Sequence, residues 1–576
     1  MKVSDYIARF LHAQKVTHVF ELSGGMITHI LDSLYEQGGF DIISMHHEQA
    51  AAFAADGFAR ISEVPGVALA TSGPGATNLL TGIGSCYFDS VPAVFITGQV
   101  NQHEQKGDLA VRQLGFQETD IVQMAAAVTK ATIQVKDAAE MPAILKHAFI
   151  TAMSGRPGPV LIDIPMNIQR ADIDVTENDF TFIQPGTTEL IIADDFNWDE
   201  LAATIAAAKN PLILAGRGVQ SSFSKKAFLQ FAEKTGIPVI TSLLAVDVIP
   251  YDHPLRTGFI GAYGNRWANL SIGEADLLIV IGSRLDIRQT GADVNGFKGN
   301  KKIYHIDIEA GEINNRVKDC VSAVCDIRWF LQEANRRVQN MQLAPFENWY
   351  SRIQQLKEEW PDHLELKDAT GINPNLFIHQ LSQASGKAGA FIADVGSHQM
   401  WTAQSVELNA EQFFLTSGGM GAMGFALPAS IGACLALQQP VVSIIGDGSM
   451  QLNIQELQTI FRRQLAVKIV VVNNQSLGMI RQFQDSYFDS KHQSTVWGYS
   501  APDFSKVAGA YGIDAYTVHT QENIAEGLQQ MWQQPDKPFL LQVMIDMKTN
   551  VYPKIAFGKP ITEMEPFFKP NEMEGT

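Results

Sequence analysis

Apolar residues gather in short runs that do not alternate with polar ones. One group of runs spans 19–22, 42–45, 67–71 and 93–97. A second spans 211–215, 239–242, 277–281 and 303–308, and a third 390–395, 441–445, 467–472 and 539–545. Such runs suit strands covered on both faces, as in a parallel sheet, and the amphipathic segments between them suit helices. The pattern predicts an α/β chain of three doubly wound parallel-sheet domains in series, over 1–170, 195–340 and 370–550, with a tail at 551–576. The stretch 172–198, rich in Asp, Glu and Thr, reads as a connector, and the charged helical stretch 349–367 leads into the third domain. The tail is polar and irregular, and its Phe and Pro content places it on the surface.

The length, 576 residues, agrees with several cores at about 150 residues per domain. A composition 46% hydrophobic and 18% charged is that of a soluble globular protein. A net charge of −18 speaks against nucleic acid or anionic membrane as partner, since both need a basic footprint. Cys86, Cys320, Cys325 and Cys434 are too few and scattered for a disulfide framework and lack zinc-site spacing, which points to a reducing compartment. The charged start MKVSDYIARF is unlike a signal peptide, and no run nears the roughly 20 apolar residues of a membrane span. The expected location is the cytoplasm.

The most informative chemistry lies in 441–475. A buried run ends in Gly446-Asp447-Gly448-Ser449, an amphipathic stretch follows, and a second run ends in Asn473-Asn474. In a parallel βαβ unit both strand ends share one sheet edge, so Asp447 and Asn474 meet. Glycines let backbone approach a ligand, and the helix start favours phosphate. One carboxylate and one amide oxygen suit Mg²⁺ if diphosphate oxygens and water complete its octahedron. Taken alone, GDGS also serves as any tight turn before a helix.

With Asn-Asn closing the next strand, this segment resembles the thiamine diphosphate (ThDP) motif. The resemblance implies Mg²⁺ held by Asp447, Asn474 and the Ser476 carbonyl, with Gly446, Gly448 and Ser449 around the diphosphate. Gly396, Ser397 and His398 match a second diphosphate-contacting turn, although the family more often has Gln where Ser397 stands. HHEQAAAFAADGFAR resembles the block whose glutamate hydrogen-bonds the aminopyrimidine ring, making Glu48 the activating acid. In isolation a first-turn Glu merely complements the helix dipole. SGPGATN at 72–78 looks like the substrate-side turn, with Ser72 and Gly73. SGGMGAMG at 417–424 looks like the pyrimidine grip, in which the Gly421 carbonyl accepts from the exocyclic amine and Met423 wedges between the rings. In this family the glutamate and the metal clamp meet across a subunit boundary, implying a homodimer or homotetramer with ThDP between subunits. On sequence alone, one chain uniting both remains open.

The resemblance covers nearly the whole chain and is strongest to the acetohydroxyacid (acetolactate) synthase family. Supporting blocks are GRPGPV at 155–160, FQE at 116–118 and GMIRQF at 478–483. Segments at 215–219, 258–264, 282–284 and 305–308 resemble its FAD-binding segments, implying Gly216, Gly218, Arg284 and Asp307 as contacts to a structural flavin; an empty dinucleotide-like fold is the alternative. Arg288 matches the arginine that holds an acceptor carboxylate, for which a guanidinium fork is suited. Phe116 and Phe483 fall on the substrate side, Phe483 where synthases favouring larger 2-keto acids carry Trp. The implied reaction decarboxylates pyruvate, a 2-keto acid donor, and passes its two-carbon unit to a carbonyl acceptor. Gln117 and the Ser72–Gly75 turn are candidate donors to the alkoxide in that step, as is Lys130. The ending at 554–560 departs from synthases and looks more like proteins that attach a two-carbon branch to a nucleotide-linked keto-sugar. A pyruvate-oxidase-like, FAD-linked decarboxylation is the other alternative.

Overall fold

The computed structural model describes residues 1–184, 190–338, 345–367 and 370–571. The apolar runs become strands whose side chains point alternately into two cores. Val67 and Leu69 enter one core and Ala68 and Ala70 another; Leu212 and Leu214 separate likewise from Ile213 and Ala215, and Phe391 from Ile392. Double-sided burial is why these runs lack a polar face.

The N-terminal sheet contains β1 (His18–Leu22), β2 (Asp41–Ser44), β3 (Gly66–Ala70), β4 (Ala93–Gln99), β5 (Ala131–Gln134) and β6 (Pro159–Pro165), in the order β2-β1-β3-β4-β6-β5. The middle sheet contains β7 (Pro211–Ala215), β8 (Val239–Thr241), β9 (Arg256–Phe259), β10 (Leu277–Ile281), β11 (Lys302–Asp307) and β12 (Val321–Val324), in the order β12-β11-β10-β7-β8-β9. That order is the one found in dinucleotide-binding folds. The third sheet contains β13 (Ala390–Ala393), β14 (Phe413–Thr416), β15 (Val441–Gly446), β16 (Val467–Asn473), β17 (Ala515–Val518) and β18 (Phe539–Met544), in the order β14-β13-β15-β16-β18-β17. Its order repeats that of the first sheet, and all pairings in the three sheets are parallel.

First and third domains share one core. The Ala-rich helix Glu48–Ile61 packs on the helix Ala426–Leu437, and both are buried over most of their length. A Cβ on Gly57 would lie 2.2 Å from the Ala429 carbonyl oxygen, and one on Gly432 1.9 Å from that of Ala54. The crossing exists because small residues let the two backbones touch.

The tail departs from expectation. β19 (Lys554–Ile555) and β20 (Met564–Glu565) pair antiparallel, and Ile555, Ile561 and Met564 are buried in the middle-domain core. Arg266 secures the turn by donating to the Glu565 carbonyl at 3.0 Å. A few apolar anchors among polar residues bury this segment, so its mean composition misled; 572–576 fall outside the described residues. All four cysteines are buried and unpaired. Among the described residues no helix is long and apolar enough to cross a membrane.

Candidate active site

In the third domain β13 and β15 are neighbours, and the chain order reverses between them. Such a switch point leaves a crevice at the carboxyl ends of the strands. β13 delivers Gly396, Ser397 and His398 there, β15 delivers Gly446 and Asp447, and β16 delivers Asn474. Asp447, Asn474 and Ser476 are 3%, 6% and 3% exposed. Burial pushes the Asp447 carboxyl up to about 6, against the pull of the Tyr499 hydroxyl, which donates to it at 3.0 Å. Asn474 Oδ1 accepts the Ser476 N–H at 3.2 Å, which folds the chain back at the strand end. The Ser476 hydroxyl is buried without a partner among the described residues.

A buried carboxylate, an amide oxygen and a peptide carbonyl at one edge make a hard-oxygen donor set that fits Mg²⁺. No cluster of three or more His, Cys, Asp or Glu side chains suited to a metal occurs among the described residues. A cation at this edge would therefore complete its shell with ligand oxygens and water.

His398 also braces the two turns of the crevice. Its Nε2 accepts the Gly446 N–H at 3.1 Å, and burial pushes its pKa down to about 3. A Cβ on Gly396 or Gly446 would lie 2.7 Å from the imidazole, so the two glycines make room for the ring. His398 thus packs into the crevice floor as an acceptor while still lining the cavity beside Gly396 and Ser397. Ser449 ties the two turns by donating to the Val395 carbonyl at 3.1 Å.

Gly421 and Met423 stand on an arch, 417–424, over this crevice. Gly421 has φ of +63°, and the Met423 methyl lies 3.4 Å from where a Gly448 Cβ would be. Both line a cavity of about 840 Å³ together with Gly396–His398, Gly446–Ser449, Asn474 and Ser476. The cavity continues into the middle domain past Gly218, Arg284, Arg288 and Asp307. There β7 and β10 adjoin at that sheet's own switch point, and a Gly216 Cβ would lie 2.1 Å from the Gly282 carbonyl oxygen. Gly216 thus serves backbone packing. Arg284 donates to Asp286 at 3.2 Å, and burial raises the Asp307 carboxyl to about 6.

The remaining candidates gather elsewhere. Glu48, 7% exposed, opens its helix, and Asn78 Nδ2 donates to its Oε2 at 2.9 Å. A Cβ on Gly75 would lie 3.2 Å from Glu48 Oε1, and one on Gly73 2.9 Å from the Gln117 Cβ. Ser72 is buried, and its hydroxyl has no partner among the described residues. Phe116, beside Gln117, is 79% exposed. The described residues lining the large cavity include none of Glu48, Ser72, Gly73, Phe116 and Gln117. Within one chain, Glu48 and Asp447 therefore do not line the same cavity. Phe483 is also off that wall and packs on Tyr487, ring centroids 4.8 Å apart. Lys130 caps the helix Met141–Met153, donating to the Thr151 and Ser154 carbonyls at 2.5 Å each.

Family models for the thiamine pyrophosphate enzyme N-terminal TPP binding domain, central domain and C-terminal TPP binding domain match residues 1–124, 198–334 and 394–543. The chain belongs to the thiamine pyrophosphate enzyme family. Thiamine pyrophosphate is ThDP. This family member is 36% identical to the acetolactate synthase isozyme 2 large subunit of Escherichia coli, across 98% of the chain and 99% of the relative. It is 36% identical to the acetolactate synthase large subunit of Lactococcus lactis, across 97% and 95%. It is 37% identical to the probable acetolactate synthase large subunit of Methanocaldococcus jannaschii, across 98% and 95%.

Sequence reasoning on this thiamine pyrophosphate enzyme missed the residues that hold the motifs in place. Asp394 accepts N–H groups from Gly424 at 2.9 Å and Ala426 at 2.7 Å, securing the far end of the arch. Its place just before the Gly396 turn was a usable signal. Asn453 Nδ2 donates to the Gly424 carbonyl at 2.8 Å and to Gln49 Oε1 at 3.2 Å, and Tyr499 supports Asp447 from 52 positions downstream. No local pattern marks either one.

Proposed function

We propose that this enzyme is a ThDP- and Mg²⁺-dependent carboligase that decarboxylates pyruvate and transfers the two-carbon unit to a second carbonyl compound. The observation that carries this reading is the end-to-end similarity to acetolactate synthase large subunits. When bound, ThDP supplies an acidic ring carbon that becomes a nucleophile and a cationic ring that takes up electrons.

Glu48 holds a proton against the aminopyrimidine, and the Gly421 carbonyl accepts from that ring's amine. Met423 supports the bend of the cofactor. Asp447, Asn474 and the Ser476 carbonyl hold the cation, while Gly396, Ser397, Gly448 and Ser449 shape the diphosphate seat. Gln117, with Ser72, Gly73 and Phe116, would form the substrate side, where the Gln117 amide would offer a donor to negative charge on a substrate oxygen. Arg288 receives an acceptor carboxylate. FAD belongs in the middle-domain part of the cavity, beside Gly216, Gly218, Arg284 and Asp307, with the dinucleotide-type strand order in support.

Since Glu48 does not line the cavity that Asp447 lines, we place the complete site between two chains, in a homodimer or larger assembly. Exposed apolar side chains beside each half favour this. Leu109, Leu114 and Phe116 are 57%, 53% and 79% exposed near Gln117, and Met420 and Ile480 are 42% and 54% exposed on the other side. The domain bounds 1–170, 195–340 and 370–550 and a cytoplasmic location are part of the same proposal.

Phe483 and the segment 554–560 favour a nucleotide-linked keto-sugar as alternative acceptor. Ile555 N–H donates to the Ala262 carbonyl at 2.8 Å, which sets the divergent tail against a residue of the cavity wall. Incubation with ThDP, Mg²⁺ and pyruvate, plus 2-ketobutyrate or a CDP-linked keto-sugar, followed by mass analysis, separates the two. Acetohydroxybutyrate supports the synthase reading, and a sugar heavier by two carbons supports the branching reading. Anaerobic bleaching of flavin by pyruvate at turnover rate would favour an oxidase instead.

A further inference from the structure

Gly421 carries the carbonyl assigned to the aminopyrimidine, and open space adjoins its Cα among the described residues. No heavy atom outside its chain neighbours lies within 4 Å of where its Cβ would be. Its position is set at the feet of the arch. Asp394 holds one foot, and Ser417 Oγ ties the base by accepting the Ala422 N–H at 3.1 Å.

The other foot is held from outside the domain. Asp89, which follows the N-terminal-domain helix Leu80–Phe88, accepts the Gly418 N–H at 3.0 Å and the Gly419 N–H at 2.7 Å. Arg60 donates to Asp89 at 2.9 Å, to Asp56 at 2.5 Å and to the Thr416 carbonyl at 3.0 Å. The Asp56 and Asp89 side chains are fully buried, and that of Arg60 is 2% exposed. Two carboxylates share the Arg60 guanidinium, with Arg217 in electrostatic reach of both, and the two peptide N–H groups of the arch complete the acceptor sites of Asp89. Charge-assisted bonds of this kind are strong, and a buried charge left unpaired is costly, so triad and arch hold each other. A Cβ on Gly419 would lie 2.6 Å from the Phe88 Cβ, so only glycine brings that peptide onto Asp89. The middle domain adds Asp247, which accepts the Phe414 N–H at 3.0 Å on β14, the strand that feeds the arch.

We propose that Asp89, supported by Arg60, is a positioning residue for the aminopyrimidine ring of ThDP, acting through the Gly418–Gly421 backbone. The proposal rests on the assignment of the Gly421 carbonyl made above. In the dimer each N-terminal domain then serves both sites, giving Glu48 to one and Asp89 support to the other.

The test is Asp89→Asn, which removes the charge and turns one acceptor into a donor. Three readouts are hydrogen exchange of the 418 and 419 amides in the apoenzyme, ThDP retention with Mg²⁺, and hydrogen–deuterium exchange at the thiazolium carbon of bound cofactor. Expected are loss of amide protection, ThDP affinity within about threefold of wild type, and ring-carbon exchange slowed about tenfold or more, with kcat falling in step and KM for pyruvate little changed. A folded variant with wild-type exchange at the ring carbon overturns the proposal, as does a variant whose only defect is lost stability. If Asp89→Asn does not fold, Gly419→Ala leaves the triad intact but lifts the arch from Phe88. Slowed exchange then supports the proposal and unchanged exchange overturns it. A wild-type enzyme that retains no ThDP would overturn the site assignment itself, an outcome distinct from both.

Discussion

Asn78, which ends the short helix after β3, donates through Nδ2 at 2.9 Å to Oε2 of Glu48, which opens the helix before β3. The bond engages Oε2, while Oε1 has no hydrogen-bond partner among the described residues and Gly75 lies close beside it. Glu48→Gln removes the proton-holding group itself and should lower kcat by about 10²–10⁴-fold, the usual range for a positioned acid or base. Asn78→Ala only loosens its orientation, so a smaller loss in kcat with unchanged ThDP retention is expected. Steady-state kinetics beside a cofactor-binding titration checks both.

The Tyr499 hydroxyl is the one side-chain donor to the Asp447 carboxylate among the described residues. Tyr499→Phe should weaken Mg²⁺ by about 10–100-fold, as loss of a ligand's supporting bond generally does. Activity against free Mg²⁺ measures it. Recovery at high Mg²⁺ is expected for this variant, whereas Asp447→Ala should not recover.

His379 bonds Asp362 at 3.0 Å and Glu407 at 2.8 Å. Burial works against both charges, but the His379 pKa is still raised by its two carboxylate partners, and Asp362 is held well below the usual carboxylate range by His363, His379 and Ser405. A raised His stabilises the fold fully below its unfolded pKa near 6.5 and loses that as pH rises through the folded value. A depressed Asp contributes above its unfolded pKa near 3.9 and loses that as pH falls. The network is therefore worth most between about pH 4 and 6.5. His379→Gln should destabilise by on the order of 1–3 kcal/mol at pH 6 and by clearly less at pH 8.5, read from urea unfolding.

Gly57→Ala sets two effects against each other. Helix propensity favours Ala by roughly 1 kcal/mol. The added Cβ would lie 2.2 Å from the Ala429 carbonyl oxygen on a neighbouring helix, and overpacking of that kind costs about 1–3 kcal/mol or more. Packing wins, and thermal melting should show a lower Tm.

The central strands were legible because burial on both faces leaves an unbroken apolar run. Within the three large sheets six strands were not: β5, β6, β9, β12, β14 and β17. All but β6 are sheet edges, with shorter or half-exposed runs and little of that signal. β6 is central, but Pro159, Pro165 and buried Asp163 disguise it as a loop. At the site, Asp447 and Asn474 could be read because two neighbouring parallel strands end at one edge. Asp89, Asn453 and Tyr499 could not, since each acts through a contact that spans domains or a long loop. His398 was legible as a motif member but not as a packing element, because its partner glycine lies 48 positions away.

Whether the site joins Glu48 of one chain to the Asp447 edge of another is tested most directly by mixing two inactive variants. Glu48→Gln and Asp447→Ala enzymes are denatured together in equal amounts, refolded and assayed with pyruvate. Random pairing into dimers gives mixed molecules with one intact site, so activity should return to about a quarter of the wild-type value. A mixture as inactive as either parent, despite mixed dimers proven by mass, would contradict the shared site.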